Sequence, residues 1–379
     1  MTFLLVVAMG VLVIALIHLL VGWFLSKGIY RDALAVQPRS KDLGVRVREV
    51  SRDRIVLEAP GPRRDIGHPG TLGLAWDDGY ARLGDVIDVD GSRFTRHYEP
   101  LQGVPPLCPG DLESCPPVEI DPYAFPNDPT NVGLAFEAIS YSSPVGPMSA
   151  WLVPARTSKK WAVLCHGWTA EKRELIRMLP VFHEAGFNSL VIDYRNDPGA
   201  PQDVTGRYRF GLSEWEDLEA AVGWVTDRGG ESIVIGGCST GGALVMAFLE
   251  RSSRVKSVSG VLLDAPNLIL AEAIRHATGD IRATPLMIEF GMWIADLRWK
   301  IDWGATNYVQ RAGDTLTVPT LVFHGTSDQT IPISVSRQLE ARAPAMVELV
   351  EAPAAGHVMS WNADPARYER HLRNFLNRV

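Results

Sequence analysis

The sequence predicts an α/β protein. A mostly parallel sheet of about eight strands is flanked by helices, and a transmembrane helix and a small β-rich module precede it. From about residue 131, short β-branched runs alternate with segments of helical periodicity, the pattern of a parallel sheet covered on both faces. The polar motifs of that region fall at the ends of the runs, where ligands gather in such sheets. Phe3 to Leu25 is apolar almost without a break.

The first run is long enough to span a bilayer, interrupted only by Gly10, His18 and Gly22. It lacks the basic start and the A-x-A site of a secretory signal, so an uncleaved anchor over residues 1–26 is expected. Lys27, Arg31, Arg39 and Lys41 follow it. Positive flanks stay on the cytoplasmic side, which places the following domain there.

A β-rich module with a proline-rich linker is expected over residues 27–130. Val45–Val50, Ile55–Leu57 and Asp85–Asp90 read as short strands. Turn signals stand at Pro60–Pro62, Pro69–Gly70, Asp78–Gly79 and Asp90–Gly91. The carboxylates Asp77, Asp78, Asp85, Asp88 and Asp90 lack the spacing of a calcium loop and read as solvated. Gly103–Pro117 is too rich in proline for helix or central strand. Cys108 and Cys115 flank that loop and could be bridged in an oxidising compartment, which would argue against the cytoplasmic face. Cys165 and Cys238 end apolar runs and read as buried thiols.

The third domain is expected over residues 131–379. Ala135–Tyr141 and Met148–Val153 form a strand pair. Trp161–Cys165, Asn188–Ile192, Ile233–Ile235, Val258–Leu263, Pro319–Phe323 and Met346–Glu351 are further strands. Helices are expected at Glu171–Ala185, Ser213–Thr226, Ser334–Arg342 and Pro365–Asn377. Ser213 and Glu216 match a capping box. Residues 265–318 hold the stripe Leu286–Ile294, either a packing helix or an apolar lid.

The organising stretch is Gly237-Cys238-Ser239-Thr240-Gly241, between the strand ending at Ile235 and the helix starting at Ala243. This is G-x-S-x-G, a turn so sharp that glycine must flank the serine. Serine hydroxyl is a weak nucleophile and needs a base, which in turn needs an orienting carboxylate. Downstream, in the order acid then base, come Asp328 in a Gly-Thr-Ser-Asp turn and His357 after Gly356. Asp264, at another strand end, is the rival acid. Asp193 precedes Ser239 and fits the order less well. An oxyanion needs two N–H donors, for which Thr240 and Trp168 are the candidates. His166 reads as a residue that holds its loop, and Arg195–Pro201 as lining the mouth of the site.

His166-Gly167, the serine motif, His324-Gly-x-x-Asp328 and Gly356-His357 together resemble the α/β-hydrolase superfamily over about residues 131–379. Within it they are similar to bacterial hydrolases of the serine aminopeptidase-like branch. The resemblance implies an eight-stranded sheet, a serine hydrolase of carboxylesterase or lipase type, and no cofactor. With Ser239, His357 and Asp328 as the triad, the expectation is cleavage of a small-molecule ester or thioester. A serine peptidase would need a feature that docks a peptide, and none is identifiable. A non-catalytic anchored binding protein is opposed by the complete set of three residues. The chain has 379 residues and a formal net charge of −7. With no basic stripe, nucleic acid is excluded as a partner.

Overall fold

The computed structural model describes residues 2–37, 44–59, 67–111, 114–156, 159–279 and 284–379. Arg39, Lys41 and the Pro60–Pro62 turn lie outside them. Helix α1 (Thr2–Ile29) passes into a π-helical turn, Tyr30–Leu34. Val11, Leu12, Val13 and Ile14 are all exposed. Four consecutive positions cover every face of a helix, so α1 is apolar all round and the chain leaves it uncovered. Among the described residues, the buried positions of α1 are in its last turns, at Gly22, Leu25, Ser26 and Ile29.

The module forms β1 (Arg46–Val50), β2 (Arg54–Glu58), β3 (Leu72–Trp76), β4 (Gly79–Asp90), β5 (Arg93–Gln102) and β6 (Glu119–Asp121). All pair antiparallel in the order β1-β2-β5-β4-β3-β6. Alternate residues point inward, so Val47, Ile55, Leu57, Leu74 and Leu83 build one apolar face. That face is not closed by the module itself. Ala352, Ala355 and Met359, from the far end of the chain, complete its core. Cys108 and Cys115 are bridged across the proline-rich loop, with Cα atoms 5.2 Å apart. Arg48 donates to the Cys108 and Gly110 carbonyls and secures the loop to β1.

The large sheet contains β7 (Glu137–Ser143), β8 (Gly146–Val153), β9 (Lys160–Cys165), β10 (Asn188–Ile192), β11 (Ser232–Cys238), β12 (Val258–Asp264), β13 (Thr320–Gly325) and β14 (Val347–Ala352). Their order is β14-β13-β12-β11-β9-β10-β8-β7. The pairs from β14 to β10 are parallel, and β8 and β7 add an antiparallel edge. The eight-stranded, mostly parallel sheet is the one the alternation predicts.

The helices are α2 (Leu179–Glu184), α3 (Trp215–Thr226), α4 (Thr240–Arg251), α5 (Leu270–Ala277), α6 (Pro285–Trp299), α7 (Ala312–Thr315), α8 (Ser334–Arg342), α9 (Ser360–Ala363) and α10 (Pro365–Leu376). Successive strand residues face opposite sides. Val163 and Ile235 pack with Leu244 and Phe248 of α4, while Ala162 and Val234 pack with Leu372 and Phe375 of α10. Every residue of α4 from Thr240 to Leu249 is buried, which fixes its first turn beneath the sheet's carboxyl edge.

Two expected helices differ. Glu171–Ala185 is a 3₁₀ segment, Lys172–Met178, followed by α2. Pro180 in the first turn of α2 has no N–H to continue the preceding turn. Helix α3 starts at Trp215, and the Ser213–Glu216 capping box is absent. Glu216 pairs instead with Arg195. Buried Glu214 accepts the Arg209 and Gly211 N–H groups, so the loop ahead of the helix captures the acid.

The segment between β12 and β13 carries α5 and α6, and α6 lies along the end of α1. The two helices touch through glycines. A Cβ on Gly22 would stand 2.9 Å from Ile294 and Phe290, and one on Gly291 2.8 Å from Leu25.

Candidate active site

Ser239 sits between β11 and α4 with φ 49° and ψ −115°, a conformation that costs a non-glycine residue about 1–3 kcal/mol. The surroundings impose it. A Cβ on Gly237 would lie 2.2 Å from Gly241, and one on Gly241 2.6 Å from the Cys165 carbonyl. Ser239 N–H donates to the Asp264 carbonyl, and the Ser239 carbonyl accepts from Asn267 N–H, both at 2.9 Å. The hydroxyl therefore stands at the N-terminus of α4, where the helix dipole favours negative charge.

His357 lies in the turn after β14. Its Nε2 is 2.9 Å from Ser239 Oγ and its Nδ1 2.7 Å from Asp328 Oδ2. Asp328 follows β13, and its Oδ1 accepts the Thr330 and Ile331 N–H groups. Burial opposes the Asp328 charge, but His357, His324 and the backbone donors outweigh it. They hold the carboxyl well below the usual carboxylate range. Burial likewise opposes a charged His357, yet the Asp328 carboxylate prevails and raises the imidazole above its ordinary value.

The two other acids stand elsewhere. Asp264 is fully buried and accepts from Tyr368 Oη at 3.1 Å. Burial pushes it up to about 6, and it does not reach His357. Asp193 belongs to a cluster with His166 and Asp197, whose facing atoms lie within 4.8 Å of one another. His166 Nε2 is 3.2 Å from Asp197 Oδ2. Burial opposes the His166 charge, but Asp197 and Asp193 raise it well above its ordinary value. Lys172 Nζ also sits against Asp193. His166 and Lys172 both already engage these carboxylates.

Thr240 is the first residue of α4, where a backbone N–H has no partner within the helix. Trp168 lines the same cleft as Ser239 and His357. The loop between them is close, since a Cβ on Gly167 would be 3.1 Å from Ser239 Cβ. Buried Glu174 accepts the Gly167 N–H at 2.8 Å, leaving the next amide, that of Trp168, for an incoming group. The cleft encloses about 320 Å³. Its other walls are Asp32, Ala33, Phe210, Leu270, Ile274 and Ile331, none singled out by the sequence. The Arg195–Pro201 loop does not line it. Arg195 is buried and bonded to Asp217.

The module reaches the site through His68. Gly356 N–H donates to His68 Nε2 at 2.9 Å, and His68 Nδ1 contacts the Pro69 carbonyl. That pairing requires a neutral ring with its proton on Nδ1, and burial lowers the His68 pKa in the same sense. Arg96, buried, donates to the His68 and Gly70 carbonyls. Asn362 ties the Thr71 and Pro122 carbonyls to α9, and Arg177 joins Asn362 to the Val358 carbonyl. The histidine turn is thus gripped from both sides.

A family model described as the alpha/beta hydrolase family matches residues 162–371. A second, for a domain of unknown function, matches residues 46–111. The uncharacterized protein YqkD of Bacillus subtilis is 23% identical over 227 residues, 57% of this chain and 71% of that one. The esterase Pf2001 of Pyrococcus furiosus has a TM-score of 0.54 at 19% identity, covering 67% of this chain and 96% of that one. At that identity the likeness shows the fold.

Two outcomes are expected. A base must be neutral to accept a proton, so kcat/KM for an ester rises with pH through the His357 pKa. Its midpoint should lie above 6.5, the model-peptide value. Asp328→Asn removes the charge that raises it, so the midpoint should fall; a midpoint unmoved by that change would separate the two residues. His68→Ala should lower kcat roughly 10- to 100-fold with KM little changed, because the histidine turn loses its position. Equal kcat in steady-state assays would show the contact to be incidental.

Proposed function

Because the chain belongs to the alpha/beta hydrolase family, we propose that it is a membrane-anchored serine hydrolase cleaving a carboxylic ester or thioester. The observation that carries this is the unbroken series Ser239 Oγ, His357, Asp328, with contacts of 2.9 and 2.7 Å. Ser239 Oγ attacks the carbonyl carbon while its proton passes to His357 Nε2. The carbonyl electron pair moves to oxygen, where the Trp168 and Thr240 amides hold it. Collapse expels the alkoxide or thiolate, which takes the proton from His357 and leaves an acyl-Ser239. Water, deprotonated by His357, attacks the acyl carbon. The acid departs and Ser239 regains its proton. Asp328 stays ionised and stabilises the imidazolium in both halves.

An ester suits the cleft better than a peptide. The walls are mostly apolar, and the one acid among them near its rim, Asp32, is bonded to Arg31.

The anchor reading rests on α1. Its end is not the loose small-residue stretch of a cleavage site. Ser26 is fully buried, and its Oγ accepts from Arg298 Nη1 at 2.8 Å. As to the side, Lys27 and Arg31 favour the cytoplasm. The Cys108–Cys115 bridge supports an oxidising compartment instead, and we take that side for the large domain.

Purified protein should label with a fluorophosphonate probe, and Ser239→Ala should abolish the labelling. Asp328→Asn should cut ester turnover by about 10⁴-fold, whereas Asp264→Asn should spare most of it. No labelling of folded wild type would sink the reading. In intact cells a membrane-impermeant maleimide should shift the protein's mass only after reduction; a shift before reduction, or none after it, would contradict the assigned side.

A further inference from the structure

Helix α6 presents an apolar stripe to the outside. Leu286, Trp293 and Leu297 are 65%, 50% and 62% exposed. Steps of seven and four residues put them on one helix face. A neighbouring face, about a quarter-turn round the helix, is fixed to α1. Gly22 meets Phe290 and Ile294, Leu25 meets Gly291, Ser26 meets Arg298, and Tyr30 stacks on Trp299. The contacts advance together along both helices, so α6 runs beside α1 in the same direction. A span of about 20 residues begun at Phe3 ends near Gly22, which is where α6 crosses. The first half of α6 therefore lies at the level where α1 leaves the lipid.

The site opens toward the same place. The π-turn that continues α1 supplies Asp32 and Ala33 to the cleft over Ser239, and α5 supplies Leu270 and Ile274. One apolar cluster joins Ile29 and Ala33 to Leu270, Ile274, Met292 and Ala295. From this, and on the hydrolase reading above, we propose that α6 is a second membrane contact. It seats its stripe in the bilayer surface beside α1, so that the cleft takes a membrane-resident acyl ester directly from the lipid.

The bilayer, and not a second copy of the chain, is the occupant because α1 is uncovered on every face from Val11 to Ile14, ahead of its contact with α6. A partner helix covers one stripe, whereas lipid covers all of them. The charges agree with that placement. Lys27 and Arg298 both lie over the Trp23 ring where the two helices emerge, as long basic side chains near helix ends reach headgroup level. Arg298 lies 3.8 Å from the Trp23 ring centroid, a cation on an aromatic at the expected interface. Glu289, one of the two acids flanking the stripe with Asp296, is paired with Arg275 at 2.7 Å. A helix so seated buries its apolar face about 5–10 Å into the headgroup boundary.

The test uses the full chain in phosphatidylcholine vesicles. The native thiols are buried or bridged, so Trp293→Cys and, as a reference remote from α6, Lys256→Cys each take one environment-sensitive dye. Doxyl-labelled phosphatidylcholine should quench the dye at 293 at least about threefold more than at 256, if α6 lies in the interface. Equal quenching would overturn the proposal. So would a 293–293 cross-link between chains without quenching, since that names a second copy as the occupant. The triple change Leu286→Gln, Trp293→Gln, Leu297→Gln should lower turnover of a long-chain ester carried in the vesicles roughly tenfold, while soluble p-nitrophenyl butyrate turnover stays within about twofold. An equal loss for both esters would remove the delivery role. Absence of turnover of either ester by wild type strikes at the hydrolase reading alone, and the quenching comparison then still decides the docking.

Discussion

The tightest constraint in the molecule is the absence of room around Ser239. Strand β11 must turn into α4 within a single residue, and the Gly237 and Gly241 positions leave no space for a Cβ. Strain of this kind persists only where the surroundings over-determine it. Here a helix buried along nearly its whole length and six parallel strands supply that determination. The neighbouring strands then fix the rest. β13 delivers Asp328, β14 delivers His357, and β9 delivers the Gly167–Trp168 turn, all at one edge. Each side chain is placed by the order of strands, and only the serine by local strain.

The histidine turn is the least self-sufficient part of this arrangement. It lies beyond the last strand, and its own residues include Ala354 and Val358 at positive φ. What holds it is borrowed. His68 accepts from Gly356, Asn362 binds Thr71 and Pro122, and Arg177 reaches across from the 3₁₀ segment. The β-rich module, which lacks any catalytic group of its own in the proposed mechanism, is mechanically part of the site because its open face closes on that turn.

The sequence was most legible where chemistry and geometry coincide locally. G-x-S-x-G demands its own turn, and Asp328 and His357 stand directly after apolar runs, so their proximity follows once the sheet is parallel. Strands β1 and β2 alternate clearly. Strands β3 and β5 do not: Leu72–Trp76 is short and holds a glycine, and Arg93–Gln102 is rich in charge. Their partners make them strands. Ser213 looked like a cap until Glu214 proved to bind the preceding loop. His68, Ala33 and the His166–Asp193–Asp197 group were invisible for another reason. Each acts through contacts between distant parts of the chain, for which no local pattern exists. The disulfide was an open option in sequence, and only the 5.2 Å approach of the two Cα atoms brings the cysteines together.

The closure of the module by Ala352, Ala355 and Met359 carries a consequence for biosynthesis. The apolar N-terminal helix and the six-stranded sheet leave the ribosome first, but the residues that cover the sheet's apolar face come about 230 positions after its last strand. At ~5–20 residues per second that is a wait of roughly 12–46 s. Through that interval the young chain must hold a half-built sandwich, its edge and face open to wrong partners. Antiparallel pairing lets the module fold its strands early, and the bridged cysteines staple its loop, but its core becomes dry only when the turn that carries His357 arrives. Completion of the scaffold and completion of the site are therefore one event in the life of the chain.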